Sequence, residues 1–244
     1  MFNYKLTIQY DGTNYAGWQI QKNAISVQQK ISEAIEIITK EKINLIGAGR
    51  TDAGVHALGQ VANFKVDVEL DLYKFQYSLN SILPSDISIT SSEKVNENFH
   101  ARFDAKSRAY IYLISKIKSP FYDKYSYRLP YIAKMNITYL NKISKVLIGE
   151  HDFTSFSRKN TETENKVCDV KNIWWKETKN FILFYIQADR FLHGMVRTII
   201  GTLLKTIEKK RDENYILEIL NKKDRETAGE AVPTKGLFLY KVRY

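Results

Sequence analysis

The stretch Gly47-Ala48-Gly49-Arg50-Thr51-Asp52-Ala53-Gly54-Val55-His56 separates two predicted strands, residues 43–46 and 60–66, and contains three glycines. Glycine allows the backbone to bend sharply or to approach another group closely. The stretch does not match a phosphate loop, because a dinucleotide fingerprint needs Gly at position 52 and a Walker loop ends in Gly-Lys-Ser/Thr. Its most distinctive polar group is instead the single carboxylate of Asp52.

Taken alone, Asp52 allows two interpretations. It can be a catalytic carboxylate, which must stay ionised, or it can close an Asx-turn or cap a helix. Asp52 and His56 are four residues apart and would share one face of a helix, which suggests a metal pair. The chain has only four histidines, one cysteine and no HExxH pattern, which disfavours a metal. A hydrolase with two carboxylates would need a second acid, for which Asp11 is the candidate.

Composition indicates a folded protein with a polyanionic partner. The 244 residues include 37 Lys and Arg against 27 Asp and Glu, a formal net charge of +10, and 44% are apolar. The one cysteine, Cys168, excludes an intramolecular disulfide and a cysteine-built zinc site. No apolar run approaches the roughly 18 residues of a membrane span. We therefore expect a soluble cytoplasmic protein without a signal peptide or membrane association.

Hydrophobic periodicity predicts strands and helices in both halves of the chain. The long segment between residues 158 and 166 is polar and predicts a loop. The other predicted strands are 4–10, 87–95, 109–116, 167–177, 181–188 and 237–244. One predicted helix begins at Ser26, and the others cover 71–83, 138–148, 192–205 and 214–220. Antiparallel strands with helices on one face give an α+β fold class.

The chain resembles the tRNA pseudouridine synthase A family along essentially its whole length. The most specific match is GRTDAGVHA at residues 49–57, followed by GQVANF. Further matching motifs, in the family's order, are DGTNYAGWQ at 11–19, SVQ at 26–28, FHARF at 99–103, RAYIY at 108–112, DFTSF at 152–156, FLHGMVR at 191–197 and GLFL at 236–239. One position departs from the pattern, because Gly194 stands where some relatives carry a bulkier polar residue.

The resemblance implies an α+β fold in which two related halves form a continuous antiparallel β-sheet flanked by helices, with a central cleft. The implied halves are residues 1–104, which carry the aspartate loop, and 105–244, which carry the remaining site residues and the terminal strand. The implied enzyme is an isomerase that converts uridine to pseudouridine at positions 38, 39 and 40 of the tRNA anticodon stem–loop. It uses no cofactor and no metal, and its bacterial members are homodimers.

The same resemblance implies a role for each of four residues. Asp52 is the catalytic nucleophile, acting on a flipped-out base, and Tyr110 lies beside that base. Arg197, from a helix, pairs with the aspartate, and Leu237, on the last strand, helps to wall the pocket. For Arg50 we expect that it intercalates or holds the phosphate of the flipped nucleotide, and the alternative is a surface charge.

Two other functions remain open from the residues. A catalytically inert RNA-binding protein would use a β-sheet platform, for which the 16 tyrosines and the positive charge are suitable. A small-molecule hydrolase would use Asp52 with His56. Loss of pseudouridine formation in an Asp52 variant that still binds tRNA separates the isomerase from both.

Overall fold

The computed structural model describes residues 1–159 and 163–244. The centre of the polar loop predicted at 158–166 therefore lies outside the described residues. The described strands are β1 (Phe2–Tyr10), β2 (Ile46–Gly47), β3 (His56–Val66), β4 (Ile87–Val95), β5 (Ser107–Ser115), β6 (Tyr127–Arg128), β7 (Gly149–Asp152), β8 (Val167–Glu177), β9 (Phe181–Ala188) and β10 (Leu237–Arg243). The α-helices are α1 (Val27–Thr39), α2 (Leu72–Ile82), α3 (Ile137–Ser144), α4 (Met195–Glu208) and α5 (Glu213–Lys222). The α+β class is confirmed.

The chain forms two compact units. The first contains residues 1–106 and 238–244, and the second contains 107–237. The predicted halves, 1–104 and 105–244, differ from these units mainly in the terminal strand. The cause is a long-range pairing, since Phe238 and Leu239 of β10 lie parallel to His56 and Ala57 of β3. That the two sheets are continuous and enclose a cleft stays a prediction.

In the first unit, β1 lies between β3 and β4, and both of these pairings are antiparallel. Strand β1 alternates as predicted, with Leu6 and Ile8 fully buried and Gln9 exposed. Helices α1 and α2 supply apolar side chains to this core, and the ring of Phe75 lies 5.8 Å from that of Phe64. The sheet and the two helices form the scaffold of the glycine-rich stretch.

Helix ends in the first unit follow their capping residues. Ser26 accepts a hydrogen bond from the backbone N–H of Gln29 at the start of α1, and Asp71 does the same for Lys74 in α2. Helix α2 ends before Pro84, because proline disfavours helical backbone at the residue that precedes it. Both starts agree with the sequence-based expectation.

The second unit has the strand order β5, β9, β8, β7, with every pairing antiparallel, and β6 adds a short parallel pairing to β5. Helix α3 is joined to β8 by side chains. Asn141 exchanges two hydrogen bonds with the backbone of Trp175, and the Trp175 indole N–H donates to the Ser144 hydroxyl at 2.9 Å. Side-chain hydrogen bonds therefore hold helix α3 against strand β8.

Several predicted boundaries were wrong. The strand predicted at 43–46 is only Ile46–Gly47, because the Leu45 carbonyl accepts from the Gln28 side chain instead of a strand. The helix predicted at 138–148 ends at Ser144 and continues as a 3-10 turn. The helix predicted from 192 begins at Met195, because Gly194 has a left-handed φ of 76°. The departure from the family pattern at Gly194 is thus a helix start.

Within the described part of the chain, no helix has both the length and the apolar character that crossing a membrane requires.

Candidate active site

The stretch 47–55 connects β2 to β3, and hydrogen bonds hold its backbone to residues of β3. The Ala48 N–H donates to the carbonyl of Val61 at 2.7 Å, and the buried Gln60 side chain donates to the Gly49 carbonyl at 2.9 Å. A turn follows, in which the Val55 N–H donates to the Asp52 carbonyl at 3.1 Å. We call residues 47–55 the aspartate loop.

The aspartate loop is packed against the segment that follows β1, residues 11–18. The Trp18 N–H donates to the Thr51 carbonyl at 3.1 Å, and the Tyr10 hydroxyl lies 2.8 Å from that of Thr51. The Gly54 N–H points to the Tyr15 carbonyl at 3.4 Å. Residues more than 30 positions apart in the sequence therefore form one structural unit around Asp52.

Glycines make this packing possible. A Cβ on Gly12 would lie 2.0 Å from the carbonyl oxygen of Val55. A Cβ on Gly17 would lie 2.5 Å from the carbonyl oxygen of Thr51, and the φ of Gly17 is +100°. Both distances are far inside van der Waals contact, so only glycine fits at these two positions. Gly49 differs, since nothing lies within 4 Å of a Cβ there.

The two charged residues of the loop are more exposed than the residue between them. Arg50 is exposed and Asp52 is half-buried, whereas Thr51 is buried. Arg50 and Asp52 therefore lie two residues apart on the same short loop. Residues 52–55 form a turn and His56 begins β3, so Asp52 and His56 do not share a helical face as a metal pair would.

His56 anchors the end of the aspartate loop. It is buried, its ring stacks on that of Phe238 at 4.7 Å, and its Nδ1 accepts from the Gly12 N–H at 3.1 Å. The same Nδ1 lies 3.1 Å from Asp11 Oδ1, which also accepts from the Thr13 backbone N–H. Asp11 is therefore a turn-capping residue. Asp11 and His56 are close to each other, and the turn at residues 52–55 separates His56 from Asp52 along the chain.

Tyr15 is a further anchor, and the sequence analysis did not identify its partner. Its hydroxyl donates to Asp86 Oδ1 at 2.6 Å. Burial raises the pKa of Tyr15, and the negative charge of Asp86 raises it further. The phenol therefore stays protonated and keeps this bond at physiological pH. Asp86 lies in the turn after Pro84, where it gives no periodic signal.

In the second unit, Tyr110 lies on β5 and is 9% exposed. Its ring meets that of Phe191 edge to face, with centroids 5.2 Å apart. Tyr112 is two residues further along β5 and is fully buried, so the two tyrosines share one face of the strand. Sequence reasoning selected Tyr110 alone.

Arg197 lies in the first turn of α4 and is half-buried. Its Nη1 donates to the Val232 carbonyl at 3.2 Å, and its own carbonyl accepts from the Val232 N–H at 3.3 Å. Burial raises the pKa of Tyr112, the nearby Tyr127 raises it further, and the positive charge of Arg197 opposes the shift. Arg197 is thus within electrostatic reach of Tyr112.

The segment after Val232 leads to Leu237. The Tyr112 hydroxyl donates to the Pro233 carbonyl at 2.8 Å, and a Cβ on Gly236 would lie 2.8 Å from the Leu113 carbonyl oxygen. Leu237 itself is buried. Arg197 and the segment that leads to Leu237 therefore both lie close to Tyr112 of β5.

A family model described as tRNA pseudouridine synthase matches residues 6–104 and 143–244. The chain belongs to this tRNA pseudouridine synthase family. Proteins named tRNA pseudouridine synthase A from Thermoanaerobacter sp. (strain X514) and from Clostridium acetobutylicum are each 42% identical to it, with full coverage of both chains. One named tRNA pseudouridine synthase A 1, from Protochlamydia amoebophila, is 43% identical and covers all of this chain and 97% of its own length.

Membership of the tRNA pseudouridine synthase family makes the chain an isomerase. The resemblance seen in the motifs is confirmed by these full-length matches. A solved structure titled "Crystal Structure of a Cbf5-Nop10-Gar1 Complex" is 13% identical, with a TM-score of 0.32, over 80% of this chain and 52% of that one. A similarity of that size carries no argument about this chain.

Replacing Gly17 with alanine tests whether the packing at the aspartate loop needs glycine. We expect Gly17→Ala to lower the free energy of unfolding by about 1–3 kcal/mol, because the new Cβ overlaps the Thr51 carbonyl. The matched control is Gly49→Ala in the same loop, which should stay within roughly 0.5 kcal/mol of the wild type. Urea denaturation measures both values, and equal stabilities of the two variants would contradict the packing argument.

Proposed function

We propose that this isomerase converts uridine to pseudouridine at positions 38, 39 and 40 of the tRNA anticodon stem–loop, with Asp52 as its nucleophile. Relatives of the same length, named for tRNA pseudouridine synthesis, support tRNA as the substrate. The aspartate loop supports the choice of residue, because it holds a half-buried carboxylate on a fixed backbone. The positive charge of +10 favours a polyanionic substrate.

The reaction is an isomerisation that balances without a co-reactant. The C–N bond between uracil and ribose breaks, the uracil turns, and a C–C bond forms to the same sugar carbon. The proton on the newly bonded base carbon moves to the released nitrogen. The target base must first leave its stack, which costs a few kcal/mol. A carboxylate can then act at the sugar or at the base, and both routes use Asp52 in its ionised form.

The other four residues receive substrate-binding roles in this proposal. The aromatic ring of Tyr110 stacks on the extruded base and recovers part of the unstacking cost. Arg197 pairs with the Asp52 carboxylate, and guanidinium groups can form such pairs through two hydrogen bonds. Leu237 excludes water from the pocket, and Arg50 holds the nucleotide's phosphate or fills the vacated stack. These roles rest on the motif resemblance and on the placement of each residue within its own unit.

We further propose that the enzyme is a homodimer and that it acts in the cytoplasm, where tRNA is processed. The dimer is implied by the resemblance to the family. Neither statement depends on the assignment of Asp52.

Asp52→Asn tests the nucleophile. We expect kcat to fall by at least about 10³-fold, because the amide cannot act as a nucleophile or a base. The affinity for tRNA and the folding should be retained, since the loop is bonded through the backbone atoms of Thr51 and Asp52. The measurement is pseudouridine mapping by chemical adduct and primer extension on an unmodified tRNA transcript.

The matched control for this substitution is Asp67→Asn, which removes an exposed carboxylate just after β3 and should leave the rate unchanged. Wild-type activity in Asp52→Asn would exclude Asp52 as the nucleophile. Absence of pseudouridine with the wild-type enzyme and tRNA would overturn the proposed reaction.

Tyr110→Phe tests the base-binding role. The substitution keeps the ring and its contact with Phe191 and removes only the hydroxyl, so folding should be retained. We expect turnover to fall by about 10²-fold or more, because in this proposal the hydroxyl acts on the reacting base in addition to the stacking of the ring. Single-turnover kinetics measure the effect, and Tyr131→Phe, on an exposed tyrosine of the same unit, is the control. A wild-type rate in Tyr110→Phe would exclude a role for the hydroxyl and leave only the stacking of the ring.

A further inference from the structure

Two buried asparagines fix residues 96–101 to the sheet of the first unit. The Asn3 side-chain NH₂ group lies within hydrogen-bond distance of three carbonyls, those of residues 96, 97 and 99. Asn63 accepts from the Ala101 N–H at 2.9 Å and donates to the Asn3 side chain at 3.0 Å. Both asparagines are 1% exposed. The segment is therefore held by polar groups that cannot leave without losing buried hydrogen bonds.

The next residues form a tight turn that displays an aromatic ring. The His100 N–H donates to the Asp104 carboxylate, and the Asp104 N–H donates to the His100 carbonyl. The Nδ1 of His100 accepts from the backbone N–H groups of Arg102 and Phe103. The Phe103 ring packs on the His100 ring at 4.3 Å and is nevertheless 74% exposed. We call residues 100–104 the Phe103 turn.

A groove of about 450 Å³, lined by both polar and apolar residues, adjoins the Phe103 turn, and His100 belongs to both. The charged and polar residues of the groove come from the approach to β2, from β3 and from the clamped segment: Lys42, Asn44, Lys65, Glu97 and Asn98. The lining contains two lysines, Lys42 and Lys65, and one carboxylate, Glu97, so its net charge is positive. Amides and an imidazole add donors that suit phosphate and ribose oxygens.

We infer that this groove and the Phe103 turn together bind RNA, with the backbone phosphate near Lys42 and Lys65 and a base stacked on Phe103. The inference rests on the proposed action on tRNA and adds a second contact surface to it. The aromatic ring favours RNA over an acidic peptide, because every base offers a face to stack on. The rigid turn means that little side-chain entropy is lost when a base docks there.

The groove and Asp52 belong to different parts of the chain around β3. The groove includes Asn63 and Lys65, near the end of that strand, whereas Asp52 precedes its first residue, His56. In this inference the groove holds the body of the substrate and does not touch the reacting atoms. It should therefore affect the binding of tRNA and leave kcat unchanged.

The test compares Lys42→Ala, Lys65→Ala and Phe103→Ala with the wild type, using an unmodified tRNA transcript as the probe. We expect each lysine variant to reduce the slope of log Kd against log salt by about 1. We expect Phe103→Ala to raise Kd by about 5-fold or more, and Phe103→Tyr to restore it by keeping the ring. Lys74→Ala, on the exposed surface of α2, is the matched control and should change neither quantity.

Three outcomes would count against the inference. If all three variants have the wild-type Kd and the wild-type slope of log Kd against log salt, the inference about the groove is overturned and the proposed function stays intact. A loss of kcat with unchanged Kd would also overturn it, because the residues would then act on the chemistry. A wild-type enzyme that neither binds tRNA nor makes pseudouridine would overturn the proposed function itself. Thermal melting should be unchanged in Lys42→Ala and Phe103→Ala, since both side chains are exposed.

Discussion

The close approach of two backbone segments, one after β1 and one before β3, is the contact on which the site depends. Gly12 and Gly17 have no Cβ, and this alone lets the carbonyls of Thr51 and Val55 pack against them. The approach creates the hydrogen bond from Trp18 to Thr51 and closes the loop around Asp52. A carboxylate on a fixed backbone loses little entropy when it reaches its reactive position, which is the general advantage of preorganised sites.

In the second unit, side chains rather than backbone contacts hold the residues with proposed roles in place. The buried Tyr112 hydroxyl binds the Pro233 carbonyl, and Arg197 binds the neighbouring Val232. A strand, a helix and the segment that leads to Leu237 are thereby fixed to one another. Tyr110 and Leu237, which have proposed substrate roles, lie on the strand and at the segment that these bonds connect. Polar networks of this kind specify one arrangement, because breaking any member leaves a buried group unsatisfied.

Local signals in the sequence were sufficient for much of the fold. The strands Ile87–Val95, Val167–Glu177 and Phe181–Ala188 have the predicted bounds, because each alternation or apolar run ends at turn residues. Long-range effects were not visible. The pairing of the terminal strand with β3 starts β3 four residues earlier than predicted and places that strand in the first unit. For the site, the resemblance supplied the choice of Asp52, whereas the contacts that hold its loop required the structure.

Amide hydrogen exchange on the wild-type protein tests the central claim, that the aspartate loop is held by the segment after β1. The Trp18 amide donates to the carbonyl of Thr51, and the Gly54 amide donates to the carbonyl of Tyr15. Exchange of these two amides should be slowed to a degree comparable with the amides of β1, because opening the loop requires the two segments to separate. Exchange at unprotected rates while the β1 amides remain protected would contradict the claim.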